Sequence, residues 1–313
     1  MTTKNAQIRL PLDLGDGLTL RAGRAADTGE LEEFDARIHG DSGPDLRVGV
    51  AVRNLMQGRL ITCGPQDFTV VTNEQGKIIS SLVLLSQTWS YAGIQFPAGQ
   101  PEFVGTDPQY RNRGLIRKQF DVIHAWSRER GQIMQGITGI PYYYRLFDYE
   151  MTVDLDGWRG GYAANVPPLA ENEQEPYVLR PAFGDDIPFI HECYTYGQRN
   201  LLLTNVRSEA EWRYEILEKE EEHVTYRMFF IITTPEGEQL GFFSIARHLD
   251  ANMVLCHFIE LKPGVSWLAV APTVIRALWR AGQDTAARTG ERCDMFAFVQ
   301  PEGHPIYTAA AAY

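Results

Sequence analysis

The residues best placed to do chemistry lie in one basic turn, Tyr110-Arg111-Asn112-Arg113-Gly114-Leu115-Ile116-Arg117-Lys118. Arg111, Arg113, Arg117 and Lys118 crowd positive charge around a glycine, and arginine grips phosphate through a bidentate fork. Gly114 has no Cβ, so a ligand can approach its backbone closely. The flanking pattern says how that charge is held. A strand through Phe103 and Val104 precedes the turn, and Ile116, Phe120 and Ile123 follow at the i, i+4, i+7 spacing of a buried helical stripe. The turn therefore opens a helix. There the first N–H groups lack intrahelical partners and the macrodipole is positive, which suits a phosphate. The plain alternative is an ordinary solvated helix start.

Other chemistries find little support. Cys63, Cys193, Cys256 and Cys293 are too scattered for a disulfide framework and form no C-x-x-C pair. They read as small buried hydrophobes. His191-Glu192 begins like H-E-x-x-H, but Thr195 stands at the closing position. The chain has no G-x-x-x-x-G-K-[ST], G-x-G-x-x-G or G-x-S-x-G, which argues against NTPase, Rossmann and α/β-hydrolase readings. No metal is expected.

At 313 residues, with 44% hydrophobic and 22% charged, the composition is that of a globular protein, and the length suits two domains better than one. Lys+Arg 29 against Asp+Glu 40 leaves a formal charge of -11, so the surface as a whole repels nucleic acid and anionic lipid. A cationic or neutral partner fits better, a polyamine or aminoglycoside among them. No stretch approaches the roughly 20 apolar residues that span a bilayer, and a cytoplasmic location is expected.

A plan repeats along the chain. The strand-to-helix segment from Leu20 to Asp27, with Asp27 or Thr28 as N-cap, returns from Leu179 to Asp186. A hairpin from Phe68 to Leu85 turning at Gly76 returns from Phe229 to Ala246 turning at Gly237, and Gly131 closes a long helix as Gly290 does. An offset of about 160 residues is a duplicated domain, since solenoid periods are far shorter. Between the copies, residues 163–176 are polar, proline-bearing and aperiodic, as a linker is. The acidic run at residues 218–222 reads as the solvated continuation of a helix starting near Ser208. The chain stops within what reads as the opening of the second domain's last helix, so a further segment is expected beyond it.

Arg111-Asn112-Arg113-Gly114-Leu115-Ile116 resembles the Q/R-x-x-G-x-G/A pyrophosphate loop of the GNAT family, the GCN5-related N-acetyltransferases, in the variant Y-R-x-R-G-L. Ile116 stands where that motif has Gly or Ala. Ile140-Pro141-Tyr142-Tyr143-Tyr144-Arg145-Leu146-Phe147-Asp148-Tyr149-Glu150 resembles the family's closing Y-x-x-x-G-[FY], with Asp148 in place of Gly and with Tyr142 and Tyr143 as neighbouring registers to Tyr144. In the second half, residues 262–271 take the loop's place without Arg-x-x-Gly, which resembles a degenerate copy. Two such domains in one chain also resemble the "enhanced intracellular survival" type of acetyltransferase, which adds a third, C-terminal domain. The resemblance implies an α/β fold (α+β, mixed sheet) of two tandem GNAT-like domains, the second degenerate. The first is expected at residues 1–162 and the second at 177–313.

It further implies acetyl-CoA as co-substrate, its pyrophosphate on Arg111, Asn112, Arg113, Gly114, Leu115 and Ile116. Its pantetheine arm would follow the strand at Phe103, Val104 and Gly105, whose main chain would polarise the thioester. A primary amine of a small molecule then attacks directly. Tyr144 matches the family's proton donor to the leaving thiolate, with packing as the alternative. Glu102 stands where several members keep a carboxylate and is the candidate base, with an edge-strand surface charge as the alternative. His124 reads as packing, and Trp89, Tyr91 and Phe96 as core residues or acceptor-pocket lining. The competing function is an acyl-CoA sensor or interaction module that kept the loop and lost turnover. Nucleic acid and membrane are not expected partners. The oligomeric state is open, a homo-oligomer being compatible.

Overall fold

The structure, a computed structural model, describes residues 8–140, 142–153 and 157–313. The chain divides into two compact units, the first made of Met1–Met151 with Leu201–Arg207 and Glu222–Val224, the second of the remainder.

In the first unit, β1 (Leu12–Gly15), β2 (Leu18–Ala22), α1 (Thr28–Ile38) and α2 (Leu46–Met56) precede the hairpin of β3 (Phe68–Thr72) and β4 (Ile78–Tyr91). Then come β5 (Ile94–Thr106), α3 (Leu115–Glu129) and β6 (Met134–Gln135). The strands lie in chain order in one sheet. All pairs are antiparallel except β5 with β6. Alternation decides which helix covers which face. Val70, Ile78 and Val83 meet Leu31, Phe34, Val52 and Leu55 of α1 and α2. Their neighbours Val71, Ile79, Leu82 and Leu84 meet Leu115, Phe120, Val122 and Ile123 of α3. A buried polar lock fixes α3 on its face. Gln119, fully buried, takes Ser80 Oγ on its Oε1 at 2.6 Å and donates from Nε2 to Thr69 O at 3.0 Å.

The second unit contains β7 (Arg159–Tyr162), β8 (Val178–Pro181) and α4 (Ile187–Gln198). One strand in the middle of its chain, β9 (Leu203–Val206), pairs instead with Thr88–Tyr91 of β4 and so completes the first unit's sheet. The second unit continues with α5 (Glu209–Arg213), β10 (Arg227–Thr233), β11 (Gln239–Ala246), β12 (Met253–Cys256), β13 (Ile259–Leu261), α6 (Trp267–Thr289), β14 (Met295–Phe298) and α7 (Pro305–Ala310). β13-β11-β10-β8 form one sheet and β12-β14-β7 another.

Three local expectations change. Asp27 stands at the N-cap of α1 without capping it, because its carboxylate accepts Arg21 through two bonds of 2.7 and 2.8 Å and the Arg24 N–H at 2.7 Å. Asp186 does the same with Arg180, at 2.8 and 2.6 Å, and with the Phe183 N–H at 2.8 Å. The acidic run does not extend its helix: after α5 the chain makes a π-helical turn over Tyr214–Glu218 and leaves it at Lys219, whose buried ammonium pairs with Glu215 at 2.7 Å. Residues 163–176, expected as a linker, lie in the second unit, where Glu175 grips Arg276 at 2.7 and 2.5 Å. β7 likewise pairs with β14 ahead of that segment.

Candidate active site

β5 carries the first part of the site and is irregular there. Ser81 faces Gly105 and Val83 faces Glu102, so the two residues Phe103 and Val104 oppose Leu82 alone. This is a β-bulge, and Phe103 adopts φ +49°, a conformation a bulky residue holds only when its surroundings impose it. Phe103 packs its ring with the core under α1 and α2, while Val104 turns to the α3 side. Gly105 lies under Ile38, where a Cβ would come within 2.8 Å of the Ile38 Cγ2. On its other edge β5 pairs with β6 only at Ala98 and Gly99. From Gln100 onward no strand among the described residues occupies that edge. An extended chain can therefore lie against the main chain of Phe103, Val104 and Gly105.

After β5, Asp107 accepts the Gln109 N–H at 3.0 Å and a single 3₁₀ turn, Pro108–Tyr110, leads to Arg111. Asn112 and Gly114 are both left-handed, with φ +63° and +73°. Asn tolerates that region better than most residues, and Gly without cost. Gly114 stands at the N-cap of α3 and offers no side-chain acceptor. The first bond of the turn runs from the Lys118 N–H to Gly114 O at 3.2 Å. The N–H groups of Leu115, Ile116 and Arg117 thus meet no acceptor among the described residues. A Cβ at Gly114 would find nothing within 4 Å, so the space in front of those donors is open. Arg111, Asn112, Arg113 and Gly114 are all exposed. Arg113 lies over the Tyr110 ring at 5.2 Å, and Arg117 donates to Leu146 O at 3.0 Å. Leu115 is buried beneath the helix, and Ile116 packs beside Val104 and Tyr144. Ile116 therefore faces the aromatic cluster, which explains why Gly or Ala is not required there.

Tyr144 opens a short 3₁₀ turn, Tyr144–Phe147, that ends on Asp148 with φ +69°. Asp148 thus adopts the left-handed conformation for which the motif uses glycine. Tyr144 rests among Phe120, Tyr143 and Tyr149, with ring centroids 6.0, 5.1 and 6.2 Å away. Its hydroxyl has no hydrogen-bond partner among the described residues. Burial first, then the neighbouring Tyr143 and Glu102, push its pKa up to about 12. At neutral pH it keeps its proton. Glu102 is likewise pushed upward by burial, against hydrogen bonds from Gln100 and the Phe103 N–H and the attraction of His39. Tyr144 shares an apolar cluster with Val104 of the bulge, and Glu102 precedes that bulge on β5.

Several members of this neighbourhood escaped the sequence reading. Trp89 Nε1 donates to Gln87 Oε1 at 2.6 Å, Gln87 to Gln100, and Gln100 to Glu102, a line of donors ending on the carboxylate. Tyr149 donates to Gln135, and its hydroxyl lies 3.3 Å from His124 Nε2. Burial lowers the His124 pKa, which keeps it neutral in that contact. Asp35 is fully buried, 3.5 Å from His39 Nε2. Gln87, Gln100 and Gln135 left no trace in the sequence, Trp89, His124 and Tyr149 stood out there in other roles, and Asp35 shows only as a carboxylate on the apolar stripe of Leu31, Phe34 and Ile38. Of the expected pocket aromatics, Trp89 and Phe96 are partly buried and Tyr91 is exposed, all on the far end of the β4–β5 hairpin.

Residues 51–152 match the family described as acetyltransferase (GNAT) domain. No curated protein matches the sequence. Among solved structures, the chain is similar to a conserved protein of Enterococcus faecalis described as a probable N-acyltransferase, at 12% identity and TM-score 0.59. That match covers 90% of this chain and 65% of the other. The N-myristoyltransferase of Saccharomyces cerevisiae with bound myristoyl-CoA aligns at 13% identity and TM-score 0.62, over 95% of this chain and 80% of that one. A GCN5-related N-acetyltransferase from Kribbella flavida aligns at 15% and 0.59, over 93% and 66%. At these identities the likeness is one of fold. The chain thus spans about two thirds of the length of two of these three neighbours. No helix among the described residues is long and apolar enough to cross a membrane. The segment that matches the acetyltransferase (GNAT) domain holds the bulge, the glycine turn and the tyrosine together.

Proposed function

We propose that the chain transfers an acetyl group from acetyl-CoA to the primary amine of a small molecule, by direct attack of the amine on the thioester. The observation that carries this reading is the sequence of three open features along one edge. A bulged strand edge, unpartnered helix N–H groups and a protonated tyrosine stand where the pantetheine, pyrophosphate and leaving sulfur would lie. The pyrophosphate would rest on the amides from Gly114 to Arg117, with the exposed Arg111 and Arg113 turning onto it from Thr106 O and the Tyr110 ring. The thioester oxygen would take an N–H of the bulge. Such a donor, aimed at developing charge, typically contributes about 10²–10³ in rate. Glu102 would receive a proton from the arriving ammonium, and Tyr144 would protonate the thiolate. The fixed geometry supplies much of the remaining acceleration by proximity.

The second unit is proposed as a degenerate GNAT copy. Its support is the repeated Arg21–Asp27 and Arg180–Asp186 pairing and the parallel pairing of β12 with β14 across α6, as β5 pairs with β6 across α3. In that unit the helix start is capped by Ser266, which accepts the Ala269 N–H at 3.3 Å, and Gln300 ties His257 O at 2.9 Å. Neither feature favours a second phosphate. A tandem arrangement of the enhanced-intracellular-survival type is the corresponding whole-chain proposal.

The test is thiol release from acetyl-CoA against a panel of polyamines, aminoglycosides and amino-acid amines, repeated with myristoyl-CoA as donor. Amine-dependent release from acetyl-CoA supports the reading. Binding of acetyl-CoA without release from any amine favours a sensor, and release from myristoyl-CoA alone replaces acetyl by a longer chain.

A further inference from the structure

Glu102 heads a line of side chains that the register of β4 and β5 sets out in steps. On the face they share, Glu102 stands opposite Val83, Gln100 opposite Leu85, Gln87 opposite Ala98 and Trp89 opposite Phe96. Each rung pairs one hydrogen-bonding side chain with an apolar one, and the hydrogen-bonding member crosses from β5 to β4 halfway along. Across its own rung each amide meets only hydrocarbon, so its partners lie along the line. Trp89 Nε1 donates to Gln87 Oε1 at 2.6 Å, Gln87 Nε2 donates to Gln100 Oε1, and Gln100 Nε2 donates to Glu102 Oε1 at 2.5 Å. The indole at the far end is backed by Gly136, where a Cβ would come within 2.8 Å of the Trp89 Cη2.

The two ends fix the sense of this line. An indole N–H only donates and an ionised carboxylate only accepts, whereas an amide turned over exchanges its donor for its acceptor. With Trp89 giving to its oxygen, Gln87 turns its NH₂ to Gln100, and Gln100 in turn presents its NH₂ to Glu102. Turning Gln100 over would set two donors against each other at one end and two acceptors at the other. The donor at Glu102 is therefore held by the whole line. A hydrogen bond to the charged form favours that form, and Gln100 works there against burial, which pushes the Glu102 pKa upward.

We propose that Gln100 is a positioning residue of this site, held in its donor sense by Gln87 and Trp89 so that Glu102 stays aimed and ionised for the arriving ammonium. This rests on the reading of Glu102 as the base. A base that takes a proton from an ammonium has to be ionised beforehand, and burial by itself opposes that. Gln100 does not touch the acceptor's proton; it acts through the carboxylate it holds. Other groups also bear on Glu102. His39 of α1 attracts a negative charge there and has Asp35 behind it at 3.5 Å, and Tyr144 comes from the segment after β6. Arg37 of α1 is held by Asp107 at 3.1 Å, and β4 presents only Val83 and Leu85 to this part of β5. None of these is altered by changing Gln100 or Gln87.

The test is a pH titration of the whole chain by NMR, with glutamate labelled at the side-chain carboxyl carbon and Glu102→Gln identifying the Glu102 signal. Gln100→Leu should move the Glu102 midpoint to higher pH by about half to one pH unit, because the donor to the charged form is gone. Gln87→Leu should move it the same way by less, since Gln100 then loses the partner that keeps its NH₂ on Glu102. A tie that merely packs β4 on β5 would lower the melting temperature and leave both midpoints in place. A Glu102 midpoint unchanged in both variants overturns the proposal. Thiol release from acetyl-CoA with the amine panel, followed against pH in the same proteins, separates the proposal from the reading it rests on. Release whose pH limb rises together with the NMR midpoint supports both. Release with an unmoved midpoint removes the role of Gln100 alone, whereas a moved midpoint with no release from any amine removes the transferase reading and, with it, the base that Gln100 would position.

Discussion

Gly114 combines a left-handed φ of +73° with empty space where a side chain would stand. A valine there meets no protein atom but must hold a conformation costing it about 1–2 kcal/mol, and it projects toward the unpartnered amides. Gly114→Val is therefore expected to remain folded and to lose acetyl-CoA binding in calorimetry, with unchanged affinity counting against the cradle. Tyr144 makes a different claim. Burial and the nearby Glu102 hold its proton in place, so Tyr144→Phe should lower kcat by about 10²–10⁴ while acetyl-CoA affinity stays within twofold. A rate equal to wild type would return Tyr144 to packing. Glu102 must be ionised to act, and its pKa is raised, so kcat/KM should climb with pH through a limb lying above the ordinary glutamate value of about 4.3. Glu102→Gln should erase that limb. A pH-independent wild-type profile would contradict the role. Of these three residues, Gly114 and Tyr144 stood out in the sequence through a motif, whereas Glu102 owed its place to position alone.

Strand β5 and helix α3 position these groups, and the lock between them is polar. Gln119→Leu would leave Ser80 Oγ and Thr69 O without their partner in a dry interior, at a cost of about 1–3 kcal/mol visible as a lower urea midpoint. An unchanged midpoint would mean that another group takes over both bonds. The β3–β4 hairpin, the opening of α1 and the start of α3 were legible because each has local causes: a Gly76 turn with Asn73 accepting the Lys77 N–H at 3.0 Å, an apolar stripe, a left-handed glycine. The bulge was not. Nothing in Glu102-Phe103-Val104-Gly105 marks the extra residue, which follows from the register that β4 imposes. The π-helical turn at Tyr214–Glu218 was hidden for the same reason, since Glu215 and Lys219 look solvated in sequence and are buried by tertiary contacts. The polar line from Trp89 to Glu102 crosses two strands, so its spacing carries no local pattern.

At the scale of the whole molecule, the composition announced two units, but the chain weaves between them. β9, far along the sequence, hydrogen-bonds Thr88–Tyr91, the Ala92 N–H donates to Leu202 O at 2.7 Å, and the Val224 N–H to Arg47 O at 3.2 Å. A boundary read from a proline-bearing segment cannot detect strands exchanged over such distances. The consequence is that residues 1–162 alone lack part of their sheet and expose the β4 edge. That fragment should unfold without a cooperative thermal transition while the whole chain shows one; a cooperative fragment would make β9 dispensable. Against a formal net charge of -11, Arg111, Arg113, Arg117 and Lys118 form a local basic cluster. The most direct measurement is a calorimetric titration of the whole chain with acetyl-CoA, followed on the same sample by thiol release with the amine panel. Saturable binding with amine-dependent release is the expected result. No heat of binding at any accessible concentration would contradict the account, leaving the turn at Gly114 as no more than the solvated start of a helix.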